Sequence, residues 1–224
     1  MKDDARGHLV ARHTLYQVST ATDLVEGVYE GAVCVGTLRE HGNLGLGTLQ
    51  DSGGEILMVD GRCFHTRHDG SARECRDDVL SPFAVITRFT RAQAVTLAQC
   101  GSLRHLTARF DALRASDNFL FAIRVDGLFE YVRTRATCWM PEEMPSIGAV
   151  AASRELELHA VAGTLVGFWT PDYASPFGVP GYLLHFVSRD RKCGGHLREC
   201  RGFSLRLQIQ REGDFHVAVA ATAD

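Results

Sequence analysis

The sequence predicts a strand-dominated α+β protein of two mixed-sheet lobes with a few helices. Three observations carry that expectation. Glycines outnumber prolines 22 to 6, and they separate short β-rich runs such as Ile56–Val59, Ala84–Phe89 and Phe119–Val125. Asp60-Gly61, Asp69-Gly70 and Asp126-Gly127 lie between such runs, and each reads as a tight hairpin connection in which glycine takes a positive φ. Helical periodicity is confined to two segments. Thr20-Ala-Thr-Asp-Leu-Val is a capped start for a short helix ending at Gly27, with Asp23 favourable in its first turn. Ser102 to Ala115 spaces Leu103, Leu106, Phe110 and Leu113 by threes and fours, with Arg104, Arg109 and Arg114 between them. That is an amphipathic helix packed on a sheet. Pro141 to Ser153 mixes prolines, acids and small residues and marks the seam between a lobe at 1–148 and a lobe at 149–224. Strand runs resume at Leu156–Val161, Thr164–Trp169, Leu183–Ser188 and Phe203–Gln210.

Composition bounds the function. The chain has 224 residues, 45% apolar and 23% charged, with a net charge of −3. This describes a globular protein with a sizeable core, one large domain or two small interlocked ones. Without a basic cluster, nucleic acid is a poor partner. The opening MKDDARGHLVARH has no apolar centre, so neither a secretory signal nor an anchor is expected there. The longest apolar-looking stretch, Ala160–Trp169, is interrupted by Gly163, Thr164 and Gly167 and falls short of the ~20 residues a membrane span needs. Seven cysteines without a CxxC pair fit buried free thiols in a reducing compartment, and the expected location is the cytoplasm.

Of the ten histidines, His8, His13, His41 and His105 fit surface or satisfied-core roles. His65 and His68 flank a hairpin turn and point to different faces. Val179 to His196, VPGYLLHFVSRDRKCGGH, is different: His185 lies in a strand, and a turn through Arg189 to Gly195 returns His196 beside it. Two such imidazoles supply two ligands of a catalytic zinc site, which takes three protein ligands and leaves one position open. Position 183 shares the face of His185, but it is leucine. Glu55 opens an aliphatic strand, either solvated at the strand mouth or facing a cavity. Arg133 and Arg135 project with Tyr131 from one strand face, as a clamp for a carboxylate or as an ordinary wet face.

These residues sit within a longer pattern. Tyr16-Gln-Val-Ser-Thr, Gly27-Val-Tyr-Glu-Gly, His41-Gly-Asn-Leu-Gly-Leu-Gly-Thr, Gly54-Glu55, Ser81-Pro-Phe-Ala-Val, Phe121-Ala-Ile-Arg-Val-Asp-Gly, Tyr131-Val-Arg-Thr-Arg, Gly163-Thr-Leu-Val-Gly-Phe-Trp-Thr-Pro and Pro180-Gly-Tyr through Gly194-Gly-His resemble the α-acetolactate decarboxylases, in order, from about Leu15 onward. The resemblance implies a zinc-dependent lyase converting 2-acetolactate to acetoin and carbon dioxide, on a two-lobed fold that dimerises. It implies metal ligation by His185, His196 and Glu55. It gives Glu55 and Arg135 catalytic roles, Glu55 as proton donor or relay, and gives Arg133 and Arg135 the substrate carboxylate. Two departures accompany it. Leu183 stands where the family pattern has a further histidine, and the family's C-terminal glutamate has no counterpart within Phe215–Ala223. The alternative is therefore a non-catalytic relative that binds a small hydroxy acid or acts as an interaction module.

Overall fold

The computed structural model describes residues 13–20, 33–50, 54–90, 92–137, 153–175 and 177–219. In chain order its elements are β1 (Thr14–Val18), β2 (Val33–Cys34), α1 (Val35–His41), β3 (Leu44–Thr48), β4 (Glu55–Val59), β5 (Arg62–Thr66), β6 (Ala72–Glu74), β7 (Leu80–Ser81), β8 (Ala84–Thr87), β9 (Gln93–Cys100), α2 (Leu103–Leu113), β10 (Phe121–Thr137), β11 (Ser153–Thr170), β12 (Gly181–Ser188), β13 (Gly194–Arg211) and β14 (Asp214–Ala218). Strands dominate, with helices few and short, as the sequence predicts.

A seven-stranded sheet runs β14-β1-β8-β3-β4-β5-β6, and a five-stranded sheet runs β10-β11-β12-β13-β9. In the second sheet β10 also pairs with β13, so β10, β11, β12 and β13 close into a ring and β9 extends from β13. Side-chain alternation then sorts the apolar residues into layers. Phe129, Leu165, Leu184, Phe186, Leu197 and Leu205 fill the ring, and Leu106 and Phe110 of α2 join them. Leu57 and Val59 of β4 meet Val166, Phe168 and Val187 between the two sheets. Ile56 and Met58, the alternate residues of β4, pack on the far face with Leu38 of α1. The register that makes 55, 57 and 59 face the second sheet also aims the carboxyl of Glu55 there.

Asp60 and Gly61 take φ of 54° and 74° and join β4 to β5, the two positive values a tight hairpin turn demands. Asp126-Gly127 is not a turn: it lies inside β10. A Cβ at Gly127 would come within 2.6 Å of Leu205 Cδ2, and β10 slips register against β13 at this point. The glycine there serves close strand approach at a bulge. Leu156–Val161 and Thr164–Trp169 likewise form one strand, β11, because Gly163 is held in the ladder opposite Gly127.

The amphipathic helix appears as α2, where the Ser102 hydroxyl accepts from the His105 N–H at 3.1 Å. The helix expected from Thr20 lies outside the described residues, as does most of the Pro141–Ser153 seam. Strand pairing does not divide at 148/149: β9 and β10 join the second sheet, while β14 returns to pair parallel with β1 in the first. Of the described cysteines, Cys63, Cys75, Cys100 and Cys200 are buried and none forms a disulfide. Among the described residues no helix is long and apolar enough to cross a membrane.

Candidate functional site

Three strands of the second sheet set one transverse row of side chains. Arg135 of β10 lies opposite His196 of β13, and His196 lies opposite His185 of β12 on its other edge. On β12, Leu184 and Phe186 face the ring interior while Leu183 and Val187 face the first sheet. His185 shares the outward parity and so points between the sheets. The arginines reach this side through a slip in the strand frame. On β10, Phe129 packs into the ring and so does Val132, three residues on, while Ala160 on the paired strand adopts a φ of 49°. Tyr131, Arg133 and Arg135 therefore turn away from the ring.

Glu55 comes from the opposite wall, at the first residue of β4. Its backbone carbonyl accepts from the Thr66 hydroxyl at 3.0 Å, and Thr66 is its direct cross-strand partner on β5. The hairpins on either side of the seam are also tied together. Gly194 N–H donates to the Gly70 carbonyl at 3.0 Å, and Ala72 N–H donates to the Lys192 carbonyl at 2.7 Å.

The result is a convergence of donor atoms. One ligand atom each from Glu55, His185 and His196 lies within 4.8 Å of the others. Glu55 Oε2 is 3.0 Å from His185 Nε2, yet neither atom makes a well-directed hydrogen bond, and His185 Nδ1 is also without one. The imidazole rings of His185 and His196 stand 5.0 Å apart at 85°, edge to face rather than stacked. Buried polar atoms left unpaired carry a free-energy cost. Oxygen and nitrogen lone pairs facing a common point are the donor set of a divalent metal site, and these residues fit one.

The electrostatics agree with that reading. Burial pushes the Glu55 carboxyl up, but the charges of His185, His196 and Arg135 outweigh it and hold the group below the usual glutamate range. Burial, followed by repulsion from His185, lowers His196 to about 4, with Glu55 opposing and Arg198 and Arg135 adding to the shift. At neutral pH the site presents a carboxylate and an uncharged His196 imidazole, the protonation states metal binding requires.

Each residue singled out in the sequence has a definite place. Glu55, His185 and His196 meet, and Arg135 adjoins them in the row with its Nε buried and unpaired. Arg133 lies farther along β10, half-exposed, 3.7 Å from Glu155, with Glu157 and Glu199 as its cross-strand neighbours. Leu183 is half-buried and packs in the inter-sheet layer, opposite Phe168. Thr66, the anchor of Glu55, was not anticipated. The signal was present: a two-residue turn at Asp60-Gly61 fixes the register that sets Thr66 opposite Glu55.

Residues 15–224 match the family model described as alpha-acetolactate decarboxylase. The chain belongs to the alpha-acetolactate decarboxylase family. An alpha-acetolactate decarboxylase from Methanosarcina mazei is 38% identical over 190 residues, covering 84% of this chain and 65% of that relative. One from Bacillus licheniformis is 32% identical over 94% of this chain and 83% of its own length. The crystal structure of alpha-acetolactate decarboxylase from Bacillus subtilis superposes with a TM-score of 0.87 at 32% identity, covering 94% of this chain and 90% of that one. The chain thus spans 65% of the Methanosarcina mazei relative and 90% of the Bacillus subtilis structure.

Proposed function

We propose that this chain decarboxylates 2-acetolactate to acetoin and carbon dioxide with a divalent cation, zinc by the chemistry of its donors, held by Glu55, His185 and His196. The convergence of these three groups, with Glu55 Oε2 and both His185 ring nitrogens buried and unpaired, carries the proposal. In the reaction the bond from the carboxylate carbon to the hydroxyl-bearing carbon breaks. Its electron pair passes into the adjacent ketone, and the resulting enediolate takes up one proton on carbon. A bound cation supplies Lewis-acid polarisation of the substrate hydroxyl and ketone and a sink for the developing negative charge.

The chain's own groups do the rest. Arg135, beside His196 in the row, binds and orients the substrate carboxylate through its two-pronged guanidinium, with Arg133 next along the strand. Glu55, ionised at neutral pH, takes the proton of the substrate hydroxyl and returns it to the enediolate carbon, and one proton from solvent restores the hydroxyl, so each carbon dioxide released consumes one proton. The buried wall formed by Val166, Phe168 and Val187 keeps bulk water from the reacting carbon. The free thiols support a reducing, cytoplasmic location, and the family resemblance supports a homodimer.

The test is acetoin formed from 2-acetolactate by chelator-treated protein resupplied with zinc. Production that needs the metal, together with a roughly 10–100-fold or greater loss of metal affinity in Glu55→Gln, supports the reading. Stoichiometric metal without acetoin overturns it in favour of a hydroxy-acid binder.

A further inference from the structure

Cys63 and Cys75 are a second pair of facing reactive groups, separate from the metal site. The β5–β6 ladder pairs Phe64 with Glu74. Continued by one residue, it sets Cys63 opposite Cys75, and the Cys75 N–H donates to the Cys63 carbonyl at 2.8 Å. In a regular ladder a directly opposed pair that exchanges both backbone bonds has Cα atoms about 5.5 Å apart, inside the roughly 4.4–6.8 Å span that a disulfide bridges; here one of the two bonds is present. Both side chains lie on the α1 face of the first sheet, and each thiol acts on the other's ionisation, Cys63 being pushed up and Cys75 down.

We propose that Cys63 and Cys75 form a reversible dithiol–disulfide pair that staples β6 to β5, with small-molecule disulfides of the glutathione class as its redox partner. Cys75 is the attacking thiol. It is the more open of the two, 8% exposed against 0% for Cys63. Its thiolate is favoured by the adjoining Cys63 thiol and, against burial, by Arg39, whose guanidinium donates to the Cys75 carbonyl at 3.0 Å. Cys75 attacks one sulfur of the small disulfide, forming a mixed disulfide and releasing one thiol. Cys63 then loses its proton and attacks Cys75 Sγ, releasing the second thiol. Two protein thiols are oxidised and one small disulfide is reduced.

The staple has a structural consequence. It closes the hairpin whose Gly70 and Ala72 bond to Gly194 and Lys192, close to His196. Locking β6 in place therefore steadies one wall of the metal site. Cys100 and Cys200 also act on each other's ionisation, but Cys100 donates to the Ser102 carbonyl at 3.4 Å, pairs with Gly202 and meets Cys200 only diagonally. They serve as the internal comparison.

The test equilibrates the whole chain in mixtures of oxidised and reduced glutathione, traps free thiols with iodoacetamide after denaturation, and maps peptides by mass. The expected result is five alkylated cysteines in place of the seven in the reduced chain, a peptide linking residues 63 and 75, and reversal by dithiothreitol. Oxidation should raise the melting temperature by several degrees, a rise that Cys75→Ala abolishes. A persistent mixed disulfide on Cys75 overturns the proposal. So does a crosslink at Cys100–Cys200 alone, or alkylation of both Cys63 and Cys75 at poises that already oxidise the partly exposed Cys34.

Discussion

Leu183→His adds an imidazole beside a site that has two. Residue 183 shares the outward face of β12 with His185 and is half-buried opposite Phe168, so the new ring projects toward the donors of Glu55, His185 and His196. Loss of even a supporting group around a metal costs about 10–100-fold in affinity. A gained direct ligand should therefore tighten zinc binding by at least that much, about 1.4–2.7 kcal/mol. The exchange has a cost as well. Full burial of a leucine contributes about 1.5–3 kcal/mol, and giving up a half-buried one should destabilise the metal-free chain by about 1 kcal/mol. The two effects have opposite signs and are read separately. Metal-free variant should melt below the parent, while zinc should raise its melting temperature more than the parent's. Competition against a chromophoric chelator gives the affinities, and circular dichroism gives the melts. An unchanged zinc affinity in a variant that still folds would refute the geometric argument, because the side chain at 183 would then not reach the shared point.

Two further perturbations act at a distance from the donors. A Cβ at Gly167 would lie 1.9 Å from the Leu183 carbonyl oxygen, so Gly167→Ala must push β12 aside. It should cost about 1–3 kcal/mol in urea unfolding and weaken zinc binding together with it; a loss of stability with metal affinity intact would argue against a rigid link from β11 to the site. Glu212 is 3% exposed, and burial raises it from 4.5 to about 7 despite hydrogen bonds from Gln210 and Thr87. The folded state thus holds a proton that the unfolded chain releases. This contribution is fully present below about pH 4.5, declines as pH rises to about 7 and is flat above, amounting to about 3 kcal/mol. Glu212→Gln should remove that decline from stability measured between pH 5 and 8, and parallel pH profiles for parent and variant would sink the assignment.

The two histidines were legible because a hairpin is a local object. A strand, a short turn and a returning strand bring His185 and His196 into register without any distant contact. Glu55 was visible only as an acid at the mouth of an aliphatic strand, since its meeting with His185 depends on one sheet docking on another. The arginine pair was legible as a stripe but not in its aim, which rests on the paired irregularity at Glu130 and Ala160. Asp126-Gly127 misled for a physical reason: the dipeptide that makes a turn also lets two backbones approach, and the Leu205 side chain decides between them here. Helix α1 carried no signal of its own. Its seven residues bury only Val35 and Leu38, too few positions for a period to show.

The pairing of β14 with β1 joins the far ends of the described chain. The first sheet gains its outer strand only after the whole ring has been synthesised, although the strands that flank Glu55 are made early. A chain released before residue 214 leaves that edge of β1 open to pairing with other chains, so the last strand made is the one that closes the sheet to association.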